Sequence, residues 1–512
     1  MGVRQITPTL ICCLFLSYFR HVSSSCSNNE VTCISSDGRY GLCEQGRCVT
    51  VNSLTRDNLE FTITVRYPET ELNGLGKHLY IRGSGLGLDW KRGQIIAKTS
   101  ADTWSITIKY KSSDDGFRCQ NCTNDKAIQH LLEYRIFVDD TSDMIGSNLA
   151  VKLPVSMTST YFQQKQNFYV FPWFKIKTGT VTNFTVDSPE IGKTRQIGLY
   201  LPPSFMENSF KTYPRFFLLD GSPDMLFLFK PFMDNLIIDS GTSKEFIMIG
   251  FGDYTSEERF NFLTPTPGSF LNCKHGTFYD RCGNCLPENY TVAEYQRLMI
   301  EKCGKVDRYF GYGDNMLNFL LNTVTNKVQE MTIGRSLTDQ SNTGIIGYSL
   351  GGLMSCHAAW TRPNQFGMAA CQSPSFWWPL NDTTYNDCNF DFFNVTLKNQ
   401  TLLKDRNRQK ILVDAGSEES HSPYRLTQST VEAGLVMSKM PFFELDRNIW
   451  INIYPDAGHD FKQWSLRFWT ALTTLIPPDG SPRIQMECRV NETNKILTTV
   501  PTRSSQLPPI VG

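Results

Sequence analysis

The sequence predicts an α/β domain with a mainly parallel sheet, preceded by an all-β sandwich domain and a small disulfide-rich N-terminal segment. After residue 183, short apolar runs alternate with segments long enough for helices, which is typical of a parallel sheet covered on both faces. Residues 55–176 show alternating apolar and polar residues, which indicates antiparallel strands. Four cysteines lie between Cys26 and Cys48, in a stretch with too few apolar residues to form a core.

The composition is that of a globular protein without a strong net charge. The 512 residues are 40% hydrophobic and 12% aromatic, and 50 Lys and Arg balance 50 Asp and Glu. This balance gives no general attraction to nucleic acid or to an anionic membrane, so we expect no nucleic-acid partner.

Residues 1–25 have the layout of a secretory signal peptide. Arg4 precedes the apolar run Leu10–Phe19, and the small residues Ser23–Ser25 follow. The run is too short to span a bilayer, and no later stretch reaches the roughly 18 apolar residues that a membrane helix needs. We therefore expect a secreted protein, in the extracellular space or the lumen of the secretory pathway, with no integral membrane segment. Residues 481–512 form a C-terminal tail.

The cysteine count fits an oxidising compartment. Of sixteen cysteines, Cys12 and Cys13 lie in the predicted signal peptide, which leaves fourteen that are expected to form disulfides. Two disulfides would hold segment 26–50, with a four-cysteine zinc site as the alternative. Proximity in sequence makes Cys371 and Cys388 candidates for another pair. Seven Asn-x-Ser/Thr sequons predict N-glycosylation, at Asn121, Asn183, Asn289, Asn381, Asn394, Asn399 and Asn491.

Part of the predicted sandwich, residues 55–176, resembles starch-binding modules. The run Leu79–Trp90 is similar to that family, in which the tryptophan that matches Trp90 stacks on sugar rings. A second stacking tryptophan of that family would lie just before Gly146, where this chain has other residues. The resemblance makes carbohydrate a candidate partner, and a purely structural sandwich is the alternative.

The stretch from Thr343 to Ala359 predicts a strand, a sharp turn and a helix around one serine. Gly347 and Gly351 flank Ser349 at a distance of two residues. This is the pattern of a nucleophile elbow, whose tight turn leaves no room for side chains at the glycine positions. Ser349 is therefore the candidate nucleophile, although such a short motif also arises by chance.

A serine hydroxyl needs a neighbouring base, and the base needs an acid that orients it. On this fold the three residues follow the order serine, acid, histidine. Three histidines follow Ser349 in the sequence. Two of them are poor candidates for the base: His357 lies within the helix after the elbow, and His421 lies too close to the candidate acids. His459 lies between a strand-like run and a predicted C-terminal helix at 461–475, so it is the candidate base.

The acid is expected in the carboxylate-rich segment after the strand that begins at residue 410. Glu419 is preferred because it lies beyond Gly416, where the chain can turn back toward the histidine. Glu418 and Asp414 are the alternatives.

Acyl transfer also requires N–H donors for the developing oxyanion. The residue after the nucleophile, Leu350, supplies one of them. Gly221 or Ser222, in the loop after the strand at 215–219, is the candidate for the second.

From about residue 183 to residue 477 the chain resembles the putative-esterase family of α/β-hydrolases, which includes esterase D, enterochelin esterase and feruloyl esterases. The resemblance implies an α/β-hydrolase fold and a triad of Ser349, Glu419 and His459. The family often has His-Gly where this chain has Asp220-Gly221. The matching segments are Gly198–Pro203, Tyr213–Gly221, Gly347–Gly352, Gln372–Trp378, Asp414–Glu419 and Gly458–Phe461.

The element Phe376-Trp377-Trp378 resembles the siderophore-esterase branch, whose members also carry a β-sandwich before the catalytic domain. These tryptophans are candidates to line the substrate pocket, with a buried aromatic pair as the alternative.

The sequence thus predicts a glycosylated serine esterase that hydrolyses carboxylic esters through an acyl-enzyme, without metal or organic cofactor. An acyltransferase and a catalytically silent glycan-binding protein are the alternatives. The predicted domains are the segment 26–50, the sandwich 55–176, and the hydrolase domain 183–480 with a cysteine-containing insertion at 264–311.

Overall fold

The structure is a computed structural model, and its described residues fall into two compact units. Described parts of 1–65, 80–134 and 150–170 form the first unit, and those of 66–79, 135–149 and 171–512 form the second. The described residues are 32–34, 40–44, 47–50, 59–110, 130–153, 166–273, 276–278, 305–376, 378, 409–421 and 426–480.

The predicted disulfide-rich segment contains a small antiparallel sheet. Its strands are β1 (Thr32–Ile34), β2 (Tyr40–Glu44) and β3 (Arg47–Thr50), in the order β1-β2-β3. The register of β2 and β3 places Cys43 opposite Cys48. The disulfides of this segment stay predictions.

The β-rich character of the region before the α/β domain is confirmed. Its strands are joined in one eight-stranded sheet, where the sequence predicted a sandwich of two sheets, and the path through it is β10-β8-β5-β6-β7-β4-β11, with β9 paired to β8. Helix α1 (Glu69–Leu72) follows the first strand. The strands are β4 (Leu59–Arg66), β5 (Leu79–Gly83), β6 (Gln94–Ser100), β7 (Thr103–Tyr110), β8 (His130–Val138), β9 (Ser142–Asp143), β10 (Leu149–Leu153) and β11 (Gln166–Val170).

The α/β domain is built on a second eight-stranded sheet that is parallel over six neighbouring strands, so the mainly parallel sheet is confirmed. Its order is β12-β13-β15-β14-β19-β20-β21-β22, in which β13 pairs antiparallel with both β12 and β15 and the pairings from β15 to β22 are parallel. The strands are β12 (Thr180–Val186), β13 (Arg195–Leu201), β14 (Arg215–Leu219), β15 (Ile247–Phe251), β19 (Thr343–Tyr348), β20 (Met368–Gln372), β21 (Lys410–Gly416) and β22 (Ile449–Tyr454).

Within the predicted insertion at 264–311, three strands form a separate antiparallel sheet in the order β17-β16-β18. They are β16 (Gly268–Cys273), β17 (Gly276–Phe278) and β18 (Lys305–Tyr309).

Helices cover both faces of the parallel sheet because its strands are apolar on both sides. In β14, Phe216 and Leu218 pack into one core and Phe217 and Leu219 into the other. The helices are α2 (Pro223–Ile237), α3 (Ser256–Phe262), α4 (Gly313–Phe319), α5 (Thr325–Met331), α6 (Leu350–Thr361), α7 (Leu426–Ser438) and α8 (Phe461–Leu475).

A disulfide joins helix α6 to the neighbouring strand β20. It links Cys356 and Cys371, whose Cα atoms lie 5.6 Å apart. The predicted pairing of Cys371 with Cys388 was therefore wrong, because α6 packs beside β20 and brings Cys356 within bonding distance of Cys371. In the part of the chain that the structure describes, no helix has the length and apolar character needed to cross a membrane.

Candidate active site

Ser349 lies at the sharp turn between β19 and α6. Its backbone has φ 59° and ψ −119°, a strained conformation for a residue with a side chain. A Cβ atom on Gly347 would lie 2.5 Å from the carbonyl carbon of Gly351, and a Cβ atom on Gly351 would lie 3.0 Å from Asp220 Oδ2. Close approach of the backbone thus requires glycine at position 347, as the motif predicted, whereas a side chain at position 351 would crowd the carboxylate of Asp220.

His459 lies in the loop between β22 and α8 and contacts two of the predicted residues. Its Nε2 lies 3.0 Å from Ser349 Oγ, and its Nδ1 lies 2.9 Å from Glu419 Oε2. The imidazole packs edge-on against Trp464, with ring centroids 4.7 Å apart. The structure therefore brings Ser349, His459 and Glu419 into one hydrogen-bonded chain.

Glu419 is 1% exposed and lies in the short 3-10 helix Ser417–His421 that follows β21. Its Oε1 accepts hydrogen bonds from Ser373 Oγ at 2.7 Å and from the Gly416 N–H at 2.8 Å. Burial by itself would raise the pKa of Glu419, but the hydrogen bond and charge of His459, together with these donors, outweigh burial and lower it. The carboxyl group is therefore held in its ionised form beside the imidazole.

The two alternative acids occupy different places. Asp414 is fully buried and accepts hydrogen bonds from Arg467 Nη1 at 3.0 Å and Gln372 Nε2 at 3.1 Å. Burial raises its pKa to about 6. Glu418 is exposed, and its backbone N–H donates to the Ala457 carbonyl. Of the three candidates, Glu419 is the one whose carboxylate lies at hydrogen-bond distance from His459.

The loop after β14 separates the two candidates for the second oxyanion donor. The N–H of Gly221 donates to the Phe251 carbonyl at 3.0 Å, so it is not available to a substrate. Ser222 is the N-cap of α2, where its Oγ accepts from the Met225 N–H at 3.4 Å. Leu350 directly follows the nucleophile candidate as the first residue of α6. Ser222 and Leu350 are therefore the remaining donor candidates, and the prediction of Gly221 as a possible second oxyanion donor was wrong.

Asp220 fixes this loop, a role that the sequence did not predict. Its backbone has φ 63°, and its carboxylate accepts from Arg259 Nε at 2.7 Å and Nη2 at 2.8 Å, and from the Tyr254 hydroxyl. Its carbonyl accepts from the Tyr348 hydroxyl at 3.1 Å, one residue before Ser349. A two-point arginine–carboxylate pair is strong and directional, so it ties the loop of Ser222 to α3, and the Tyr348 hydroxyl ties the same loop to the end of β19 beside the elbow. The signal for this role in the sequence was Asp220 itself, which stands where the esterase family often has a histidine before the glycine.

Two further residues that sequence reasoning missed support Glu419. Ser373 has φ 43° and follows β20; Trp464 Nε1 donates to its hydroxyl at 2.9 Å. Arg467 is buried in α8 and donates from Nη2 to Ser373 Oγ at 2.9 Å and to Glu419 Oε1 at 3.4 Å. The sequence signal for Arg467 is a cation on the inward side of a helix, where a charge needs a buried partner.

The predicted aromatic residues differ in what can be said of them. Trp378 is 2% exposed, and its Nε1 donates to the Thr266 carbonyl at 2.9 Å. Its ring packs near that of Phe260, at a centroid distance of 6.0 Å. Trp378 is therefore a buried aromatic residue, which was the alternative to a role in lining the substrate pocket. Trp377 lies outside the described residues. Trp90 is 39% exposed, whereas Met144 and Ile145, where a second sugar-stacking residue would lie, are buried.

The remaining predictions concern histidines, sequons and metals. His357 is buried in α6, as expected, with Nε2 3.5 Å from Asp314 Oδ1. Asn183 is exposed on β12. Among the described residues, no group of His, Cys, Asp and Glu side chains is placed to hold a metal ion. The other six sequons, at Asn121, Asn289, Asn381, Asn394, Asn399 and Asn491, lie outside the described residues.

Residues 308–475 match the family model described as Putative esterase. The matched segment contains Ser349, Glu419 and His459, and it confirms the resemblance to the esterase family of α/β-hydrolases.

One curated relative shares a shorter stretch. The siderophore triacetylfusarinine C esterase of Aspergillus fumigatus is 31% identical over 115 residues, which are 22% of this chain. The match spans 36% of the length of that relative, or about a third.

Two of the solved structures that this chain matches are named as an enterobactin esterase and a siderophore hydrolase. The enterobactin esterase FES from Shigella flexneri has a TM-score of 0.39 and 14% identity, over 83% of this chain and 95% of its own. The siderophore hydrolase EstA from Aspergillus nidulans has a TM-score of 0.38 and 19% identity, over 57% of this chain and 91% of its own.

Proposed function

We propose that the protein is a secreted serine esterase that hydrolyses carboxylic esters through an acyl-enzyme. The observation that supports this most directly is the chain of two hydrogen bonds, of 3.0 Å and 2.9 Å, from Ser349 through His459 to Glu419. A base within hydrogen-bond reach of a nucleophile, oriented by a third group, is the arrangement that acyl transfer by serine requires.

In the proposed first step, Ser349 Oγ attacks the ester carbonyl carbon while His459 Nε2 takes the hydroxyl proton. Glu419 holds the imidazole by Nδ1 and stabilises its positive charge. The N–H groups of Leu350 and Ser222 donate to the oxyanion of the tetrahedral intermediate. The carbon–oxygen bond to the alcohol then breaks, and the alcohol leaves with the proton returned by His459.

In the second step, a water molecule gives a proton to His459 and attacks the acyl carbon. Collapse of the second tetrahedral intermediate returns the proton to Ser349 Oγ and releases the carboxylic acid. An alcohol in place of water would make the protein an acyltransferase, which the same residues would serve.

The test uses the purified full-length protein and a fluorophosphonate probe. We expect the wild-type protein to be labelled and to hydrolyse p-nitrophenyl acetate, and the Ser349→Ala variant to do neither. Ser375→Ala is the matched variant, because Ser375 Oγ lies 3.3 Å from Ser349 Oγ and should not be the labelled atom. Labelling that persists in Ser349→Ala but is lost in Ser375→Ala would refute the proposed nucleophile.

Failure of the wild-type protein to react with either reagent would favour the catalytically silent alternative. If Ser349 is labelled, triacetylfusarinine C becomes one candidate in an ester screen, because the curated relative is named for it. Recovery of the glycosylated protein from the culture medium of expressing cells, lost on deletion of residues 1–25, tests the proposed secretion.

A further inference from the structure

A polar cavity opens at the edge of the parallel sheet opposite to Ser349. Its volume is about 550 Å³, and Arg215, Asn322, Thr325, Asp339 and Gln365 are among its lining residues. Arg215 and the nearby Thr343 begin strands β14 and β19, whereas Ser349 follows the end of β19. Because a strand rises about 3.3 Å per residue, the cavity and Ser349 lie about 20 Å apart along β19.

Among the described residues, the buried guanidinium group of Arg215 has no carboxylate at hydrogen-bond distance. The residue is 2% exposed, and its hydrogen bonds go to two hydroxyl groups: Nη1 to Thr325 Oγ1 at 3.0 Å and Nε to Thr343 Oγ1 at 3.4 Å. In the described part of the chain, no acidic side chain forms an ion pair with it, and Nη2 has no hydrogen-bond partner. Burial lowers the pKa of Arg215 to about 10, and the charge of Asp339, which forms no ion pair with it, offsets this effect only in part. A buried cation that lacks a hydrogen-bonded anion keeps part of its desolvation cost.

The helix that walls the cavity is irregular at the same place. Between α4 and α5 the chain forms a π-helical turn, Leu320–Val324, which contributes Leu321 and Asn322 to the lining. The Thr325 hydroxyl donates to the Leu320 carbonyl at 2.9 Å, so its oxygen is turned toward Arg215 as an acceptor. π-turns inside helices are rare, but those that occur often lie at functional sites.

Asp339 brings a negative charge to the same cavity and so favours ligands that carry hydroxyl groups beside their anionic group. It lines the same cavity, and its carboxylate accepts from Ser341 Oγ at 2.6 Å and Asn342 Nδ2 at 3.0 Å, not from Arg215. A ligand that places an oxyanion at Arg215 would therefore gain from hydroxyl donors that face Asp339. The amide side chains of Asn322, Asn326 and Gln365 on the wall offer both donors and acceptors to such hydroxyl groups.

We propose that this cavity is a second binding site, separate from the Ser349 site, for a small hydroxylated oxyanion whose carboxylate or phosphate group binds Arg215. The proposal does not depend on the esterase activity. Arg215 is suited to this role because a guanidinium group binds carboxylate and phosphate through two parallel hydrogen bonds.

Isothermal titration calorimetry of the full-length protein tests the proposal with two matched pairs of probes: D-gluconate with sorbitol, and glycerol 3-phosphate with glycerol. We expect one anion of the two to bind and its neutral counterpart not to bind. Gluconate binding would identify a carboxylate site, and glycerol 3-phosphate binding a phosphate site. Arg215→Gln should weaken binding at least about tenfold, because the bond lost is to a charged group.

The control variants separate the site from folding and from the esterase. Arg447→Gln removes an exposed arginine and should bind as wild type does, and so should Ser349→Ala. Asn326→Trp changes an exposed wall residue and should block the cavity, so it decides the matter if Arg215→Gln does not fold. The proposal is overturned if neither anion binds, if sorbitol or glycerol binds equally well, or if binding survives both Arg215→Gln and Asn326→Trp.

Discussion

Replacing Glu419 by glutamine should identify the acid of the proposed triad. In the structure Glu419 Oε2 lies 2.9 Å from His459 Nδ1. At that distance a carboxylate and an imidazolium attract each other by about 6 kcal/mol with an effective dielectric constant of about 20. Glutamine keeps the size of the side chain but removes its charge, and its amide can present a donor where the imidazole N–H needs an acceptor.

Part of this attraction is lost to the reorganisation of neighbouring donors, so we expect kcat to fall about 10³-fold to 10⁴-fold, or about 4 to 5.5 kcal/mol. KM should change little, because the carboxylate acts on the imidazole. The assay is steady-state hydrolysis of p-nitrophenyl acetate, together with circular dichroism to verify folding.

Two matched variants decide between the candidate acids. Glu418→Gln alters the adjacent, exposed carboxylate and should leave kcat within about threefold, since exposed charges contribute little. Asp414→Asn should lower kcat less than Glu419→Gln, because the Asp414 carboxylate accepts from Arg467 and Gln372, whereas that of Glu419 contacts His459. If Glu419→Gln keeps kcat within tenfold of wild type while Asp414→Asn abolishes activity, the reasoning from geometry is refuted.

Three other predictions concern the frame of the site. Arg259→Gln should lower kcat about tenfold to a hundredfold and also lower stability, because the two-point bond that fixes the oxyanion loop is lost and Asp220 is left without its cation. Arg195 holds the pKa of Glu258 at about 2, so Glu258→Gln should cost about 1–3 kcal/mol of unfolding free energy at pH 7. That difference should disappear as the pH falls from about 4.5 toward 2. Removing the Cys356–Cys371 disulfide, which spans 15 residues, should cost about 3 kcal/mol in urea unfolding.

Each of these has a distinguishing control. Arg447→Gln, at an exposed arginine, should leave kcat unchanged, and a drop equal to that of Arg259→Gln would indicate a general charge effect. The sign for Glu258 follows from its lowered pKa: the stabilisation is present above the unfolded-state value and is lost below it. A Glu258→Gln cost that stays constant down to pH 2 would contradict the ion pair. Equal stability of wild type and the double Cys→Ala variant would contradict the disulfide.

The sequence predicted those features that local physical chemistry dictates. The elbow around Ser349 could be predicted because glycines are needed wherever the chain approaches itself too closely for a Cβ atom. The helix at 461–475 and the mainly parallel sheet follow from apolar periodicity. The order of the chain also placed His459 in the final loop of the fold, where the structure has it.

Tertiary structure decided which groups meet when they are distant in sequence. Three carboxylates within six residues of the chain end the same strand, and only the path of the turn after Gly416 determines which one faces His459. The loss of the Gly221 N–H to Phe251 and the burial of Trp378 also depend on neighbouring segments that no local pattern encodes. The sequence by itself thus determined the strained turn and the residue types of the site, because these depend on adjacent residues. The fold determined their hydrogen-bond partners, because those depend on which strand ends lie side by side.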